Sequence, residues 1–200
     1  MPERYTERKS LQPELIVYCG PMFSGKSDEL IRYLRKAPHA GYKVLAFKPI
    51  IDNRRGTDSI NSQDGVEYPA TQVSVSKEIL EHNLSGIDIV GIDEGQFFDD
   101  GLTDVCLKLV DLGKKVIVAG LDKNFKGEPF GPMTRLKQEA EHVETFHAFC
   151  AVCGDSASFT QRFINGEPAN YSDVVVKVGA DEMYQARCRK HHDVPGKPKK

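Results

Sequence analysis

Gly20, Gly25, Lys26 and Ser27 in the stretch GPMFSGKSDEL have the types and the spacing of a phosphate cradle. In the pattern G-x-x-x-x-G-K-[ST], glycines let backbone N–H groups surround phosphate oxygens, the lysine reaches the β/γ-phosphates and the serine ligates Mg²⁺. Pro21, Met22, Phe23 and Ser24 complete the loop. Further along, VGIDEGQFF ends an apolar run in Asp93 and Glu94. A carboxylate at a strand end beside such a loop holds the nucleotide's Mg²⁺, directly or through water, and Asp93 takes that role. Glu94 points elsewhere if strand alternation persists, and it can accept a proton from a nucleophile within hydrogen-bond reach. Water as that nucleophile makes an NTPase; a hydroxyl on a bound small molecule makes a kinase. Phe97 and Phe98 follow Glu94 after two residues, and Phe125 and Phe130 follow the next apolar run. Rings at such a rim can form a slot for a planar base, which favours the kinase.

A third group is of metal-ligand type. Cys150-Ala-Val-Cys153 and Cys188-Arg-Lys-His191 form a C-x₂-C and a C-x₂-H pair. Closed sets of four thiolate and imidazole ligands are typical of structural Zn²⁺. His192 competes with His191 for the fourth place, and the two-residue gap favours His191. A zinc there would pin the ends of the intervening loop, residues 154 to 187. Cys19 and Cys106 sit in apolar patterns and read as core residues.

The elements that must position these groups follow from periodicity. Leu15 to Cys19 is a short apolar run before the phosphate loop, and Leu30, Ile31 and Leu34 recur after it at helical spacing until Pro38. KVLAFK at 43–48, IDIVGI at 87–92 and KVIVA at 115–119 read as strands, and Leu102, Val105, Cys106, Leu109 and Val110 mark a helix. This alternation implies an α/β fold, a mainly parallel sheet of P-loop NTPase type with helices on both faces. Ligands bind beyond the carboxyl ends of such strands, which puts the 20–27 loop, Asp93-Glu94 and Leu121-Asp122 on one rim. Residues 50–70 are polar and too long for an ordinary connection, a candidate lid. The expected layout is a flexible arm at 1–14, a P-loop domain at 15–147, a small zinc-binding subdomain at 148–193 and a disordered basic tail at 194–200.

Composition narrows the classes. The 200 residues carry a formal charge of -2 and 40% hydrophobic residues, enough for one ordinary core. The acidic balance argues against a nucleic-acid motor with a zinc ribbon, which needs a basic track. No apolar run has the length of a membrane span, and MPERYTERKS is charged where a signal peptide needs apolar residues. The expectation is a cytoplasmic protein without nucleic-acid or membrane partners.

Taken together, GPMFSGKS at 20–27, DNR at 52–54, GIDEGQFF at 91–98, LDKNFKGEPFG at 121–131, the cysteine pairs and VGADEMYQARCRKHH at 178–192 resemble the cytosolic thymidine kinases of the zinc-containing type, also found in bacteria. The resemblance runs over roughly residues 15 to 193. It implies transfer of the γ-phosphate of ATP to the 5′-hydroxyl of thymidine or deoxyuridine with Mg²⁺, with Glu94 as general base. It also implies that Gln96 joins the ATP and phosphate site, and that Phe97, Leu121, Phe125 and Tyr184 line the nucleoside pocket. Thr160 with backbone near Val176, Val178 and Gly179 would form a lasso around the thymine, whose two carbonyls and one N–H suit main-chain partners. Asp52 and Arg54 match lid positions, where a guanidinium offsets developing charge. A homotetramer and feedback inhibition by thymidine triphosphate are further implications. Two positions depart from the family pattern: Asp28 stands where threonine is common, and Gln63 where histidine is expected.

Overall fold

The computed structural model describes residues 11–51, 58–62, 65–176 and 182–198. The lid positions Asp52 and Arg54, the lasso positions Val178 and Gly179, and Gln63 lie outside them. In chain order the strands are β1 (Glu14–Cys19), β2 (Val44–Pro49), β3 (Ser59–Asn61), β4 (Glu67–Pro69), β5 (Thr71–Val73), β6 (Ile89–Ile92), β7 (Lys115–Gly120) and β8 (His142–Thr145). The helices are α1 (Lys26–Lys36), α2 (Leu102–Asp111) and α3 (Met133–Glu139).

β5, β2, β6, β7, β1 and β8 lie side by side in that order, and every pairing among them is parallel. Side-chain alternation sends the two faces into separate cores. Leu15, Val17 and Cys19 of β1 and Val116 and Val118 of β7 face α2 and α3, against Leu102, Cys106, Leu109, Met133 and Leu136. Ile16, Tyr18, Ile117 and Ala119 face α1 through Leu30, Ile31 and Leu34. Gly91 lets α1 sit close, since a Cβ there would come within 2.8 Å of Leu34 Cδ1. Cys19 and Cys106 are fully buried in the first of these cores, and burial pushes the Cys106 thiol well above its usual range.

Within the 50–70 stretch, the described residues include regular structure. β3 and β4 pair as a short antiparallel hairpin, and Ile60 is buried in the core on the α1 side. The polarity of the segment hides this anchor, beside which Val66, Tyr68 and Ala70 also pack. Lys48, buried at the end of β2, donates to the Ser59 carbonyl at 3.1 Å and ties the hairpin to the sheet. Asp28 lines the groove between α1 and Val66 together with Arg32, Arg35 and Lys36, and Arg32 is itself paired with Glu29.

Beyond residue 147 the chain builds β9 (Ala148–Phe149), β10 (Ser156–Ala157), β11 (Phe159–Ile164), β12 (Glu167–Pro168) and β13 (Glu182–Arg187). β9 and β10 pair as a ribbon, and β12, β11 and β13 form a three-stranded antiparallel sheet. The start of the expected disordered tail instead packs against both this subdomain and the 125–126 stretch. Val194 packs with Phe125 and Ala169, Tyr171 N–H donates to the Pro195 carbonyl at 2.8 Å, and Lys197 Nζ reaches the Lys126 carbonyl. Composition suggests a loose end, but a buried valine and these hydrogen bonds tie it to its neighbours. Among the described residues no helix is long and apolar enough to cross a membrane.

Candidate active site and metal centre

The three loops expected on one rim are there, because β1, β6 and β7 are parallel and end at the same edge. After β1 the chain turns sharply. Gly20 (φ 148°) has its Cβ direction 2.3 Å from the Phe146 carbonyl oxygen, so no side chain fits. Phe23 and Gly25 both take left-handed backbone (φ 66° and 84°), and α1 then begins without a side-chain cap. Open N–H groups at a helix start together with the dipole make an anion site.

Lys26 is buried, and its Nζ donates to the Pro21 carbonyl at 2.6 Å and to Ser24 Oγ at 3.3 Å. Burial holds its ammonium below the usual lysine range, against the opposing pull of Glu94, Asp93 and Asp122. Ser27 Oγ donates to Asp93 Oδ1 at 3.1 Å, so the two residues assigned to Mg²⁺ lie in direct contact across α1 and β6. Asp122, buried after β7, faces Lys123 and Lys137 at 2.8 and 3.4 Å. Burial raises its carboxyl, but these lysines outweigh burial and hold it low.

Glu94 is separated from Asp93 by more than strand alternation. β6 stops at Ile92, and Glu94 takes left-handed backbone (φ 53°) before a single 3-10 turn at Gly95–Phe97. A residue without a glycine's freedom held in that region costs about 1 kcal/mol, so the surrounding packing must impose it. Phe97 meets Phe130 edge to face at 5.5 Å, whereas Phe98 is absorbed into the core of the α2 face. Phe125 is buried and lies under the guanidinium of Arg162 at 5.1 Å. Tyr184, half-buried on β13, is in register with Arg162 on β11. Leu121 is also half-buried, and Val176 lies exposed at the edge of the described segment.

Thr160 has a partner that spacing does not reveal. Its Oγ1 accepts the Met22 backbone N–H at 3.0 Å, so β11 is bonded directly to the phosphate loop. Neighbours lock it in place: Gln161 exchanges hydrogen bonds with the Asp193 main chain, Nε2 to carbonyl at 2.7 Å and N–H to Oε1 at 2.8 Å. The pairing of a loop residue with one 138 positions away leaves no local signal.

The cysteine pairs converge. One ligand atom from each of Cys150, Cys153, Cys188 and His191 lies within 4.8 Å of all the others. Cys153 and Cys188 Sγ are 3.8 Å apart, and His191 Nδ1 is 3.3 Å from Cys188 Sγ and 3.7 Å from Cys150 Sγ. Zn–S bonds of about 2.3 Å at tetrahedral angles give S···S edges of roughly 3.8 Å, so the four could hold a zinc ion. Burial raises the Cys150 thiol, but the backbone N–H groups of Cys188, Val152 and Cys153, with His191, bring it down to about 5. Such a group offers a thiolate to a metal. His192 is engaged elsewhere, stacked on Phe159 at 4.7 Å with Nε2 at 2.8 Å from the Phe125 carbonyl oxygen, and burial lowers its pKa. The competition between the two histidines therefore falls to His191.

Comparison with known proteins adds two findings. A family model described as thymidine kinase matches residues 13–192. Among solved structures, the Legionella pneumophila ATPase DotB is similar over 70% of this chain at 18% identity and a TM-score of 0.40; the chain spans 38% of that protein's length.

Proposed function

Because the chain belongs to the thymidine kinase family, we propose that it transfers the γ-phosphate of ATP to the 5′-hydroxyl of thymidine, and of deoxyuridine, in nucleotide salvage. The observation that carries this reading is the Ser27–Asp93 contact beside Lys26, with Glu94 on the same rim. In the proposed reaction the 5′-oxygen gives its proton to the Glu94 carboxylate as it bonds to the γ-phosphorus. The bond from that phosphorus to the β,γ-bridging oxygen breaks, and ADP leaves. Lys26 and the N–H groups of the 20–27 loop hold the phosphates in line; most of the rate comes from positioning and charge stabilisation. Mg²⁺, held by Ser27 and Asp93, would neutralise charge on the β- and γ-oxygens when bound.

The nucleoside would lie against Phe97, Leu121, Phe125 and Tyr184, with main chain around Val176 to Gly179 pairing with the thymine and Asp52 and Arg54 closing over the phosphates. A structural Zn²⁺ on Cys150, Cys153, Cys188 and His191 would hold that segment. A homotetramer, feedback inhibition by thymidine triphosphate and a cytoplasmic location belong to the same proposal and draw their support from the family alone. The test is quantification of monophosphate product from purified protein, MgATP and a panel of pyrimidine and purine nucleosides. Thymidine monophosphate is expected among the products; failure to phosphorylate any pyrimidine nucleoside rejects the reading.

Thr160 gives a sharper prediction within this scheme. Valine keeps its shape but removes the acceptor for Met22 N–H, and a lost bond to a partly buried donor costs about 1 kcal/mol, roughly fivefold in affinity. Thr160→Val is expected to raise KM for ATP by about that factor, with Thr160→Ser near the native value. Equal KM values in the two variants would show that the bond does not shape the loop.

A further inference from the structure

Gln96 is 2% exposed, and its amide bridges two parts of the rim. Oε1 accepts the Leu121 backbone N–H at 2.8 Å, and Nε2 donates to Glu94 Oε2. A backbone N–H can only donate, so the Leu121 contact fixes which end of the amide is oxygen. The amino end is then obliged to face the Glu94 carboxylate, which is a pure acceptor only when ionised. Two glycines make the seat. A Cβ at Gly120 would lie 2.8 Å from Gln96 Oε1, and one at Gly131 would lie 2.3 Å from the Gln96 carbonyl oxygen. The end of β7 thus closes on the side-chain amide and the loop before α3 closes on the Gln96 main chain, while the carboxylate the amide meets sits on left-handed backbone.

We propose that Gln96 is a positioning residue for the transfer: it holds the Glu94 carboxylate in one orientation and ties it to the nucleoside-side loop that starts at Leu121. This rests on the assignment of Glu94 as base. A Gln96 that only filled space under the rim would cost the same turnover whatever stood at position 94. A Gln96 that acts through Glu94 has nothing left to act on once Glu94 is replaced.

The test is a double-mutant cycle in the full chain, with steady-state kinetics on MgATP and thymidine for Gln96→Met, Glu94→Gln and the double variant. Gln96→Met is expected to lower kcat about tenfold with KM for thymidine within about threefold of native. In the Glu94→Gln background it should cost less than about twofold more. Gln96→Glu keeps the side-chain shape and the Leu121 bond but sets a second carboxylate oxygen against Glu94, so it should lose at least as much turnover; it replaces Gln96→Met in the cycle should that variant not fold. Equal losses in both backgrounds, or Gln96 variants within about twofold of the native kcat, overturn the positioning role. Glu94→Gln turning over at the native rate is a different result, which rejects the base assignment and this proposal with it.

Discussion

Glu94→Gln is expected to lower turnover by roughly 10²-fold or more while nucleoside affinity stays near native. The amide keeps the size of the carboxylate and can still accept a hydrogen bond from Gln96 Nε2, so local packing should survive. What it cannot do is take a proton from the 5′-oxygen at the moment the phosphorus is attacked. The prediction separates Glu94 from Asp93, one residue away. Asp93 is buried and bonded to Ser27 Oγ at 3.1 Å, so its replacement should act on the nucleotide side, raising KM for MgATP as well as lowering kcat. Calorimetric binding of thymidine to Glu94→Gln, set beside single-turnover rates with labelled ATP, checks the split. Native turnover removes Glu94 from the chemistry, and lost thymidine binding makes it a pocket residue.

Local signals make part of this site legible in the sequence itself. The phosphate loop carries its own punctuation: glycines where backbone is left-handed or jammed against Phe146, then a helix with apolar residues on one stripe. The parallel sheet and its two helix-covered faces follow from strand and helix periods, and the cysteine pairs from their spacing. What escapes is long-range or hidden by polarity. Nothing near Thr160 indicates that it bonds Met22, and nothing near Gln96 indicates that Leu121 will fix its amide. Ile60 inside a run of Asp, Asn and Ser reads as part of a solvated loop, yet it is 1% exposed against α1. The turn at Glu94 is another such case: strand alternation alone would split the two acids, whereas a left-handed residue after a four-residue strand does so. The two-residue gap already points to His191, but the stacking that occupies His192 involves Phe159, which lies far away along the chain.

Loss of the metal ligands is expected to have the largest effect on folding, and it should be local. The apolar cluster beneath the cysteine knuckles consists of Ala148, Cys150, Ala157 and Ala186, with Cys188 against it. Alanines bury little area, at about 25 cal/mol per Å², so this cluster cannot hold β9, β10 and the end of β13 by itself. Metal binding at such a site is worth on the order of 10 kcal/mol in small zinc modules and acts there as folding energy. The P-loop sheet has its own two cores and does not depend on it. Cys188→Ser or Cys150→Ser should therefore reduce zinc from about one ion per chain to a small fraction and loosen β11 and β13. Nucleoside binding should weaken more than tenfold, since Thr160 and Tyr184 ride on those strands. Hydrogen exchange should show β1, β6 and β7 still protected while amides of β11 and β13 exchange freely. Metal analysis, exchange and thymidine binding on the same samples form the check. A serine variant that lacks zinc yet keeps β11 protected and binds thymidine as before would show that the alanine cluster is sufficient, and that the four ligands do not staple the fold.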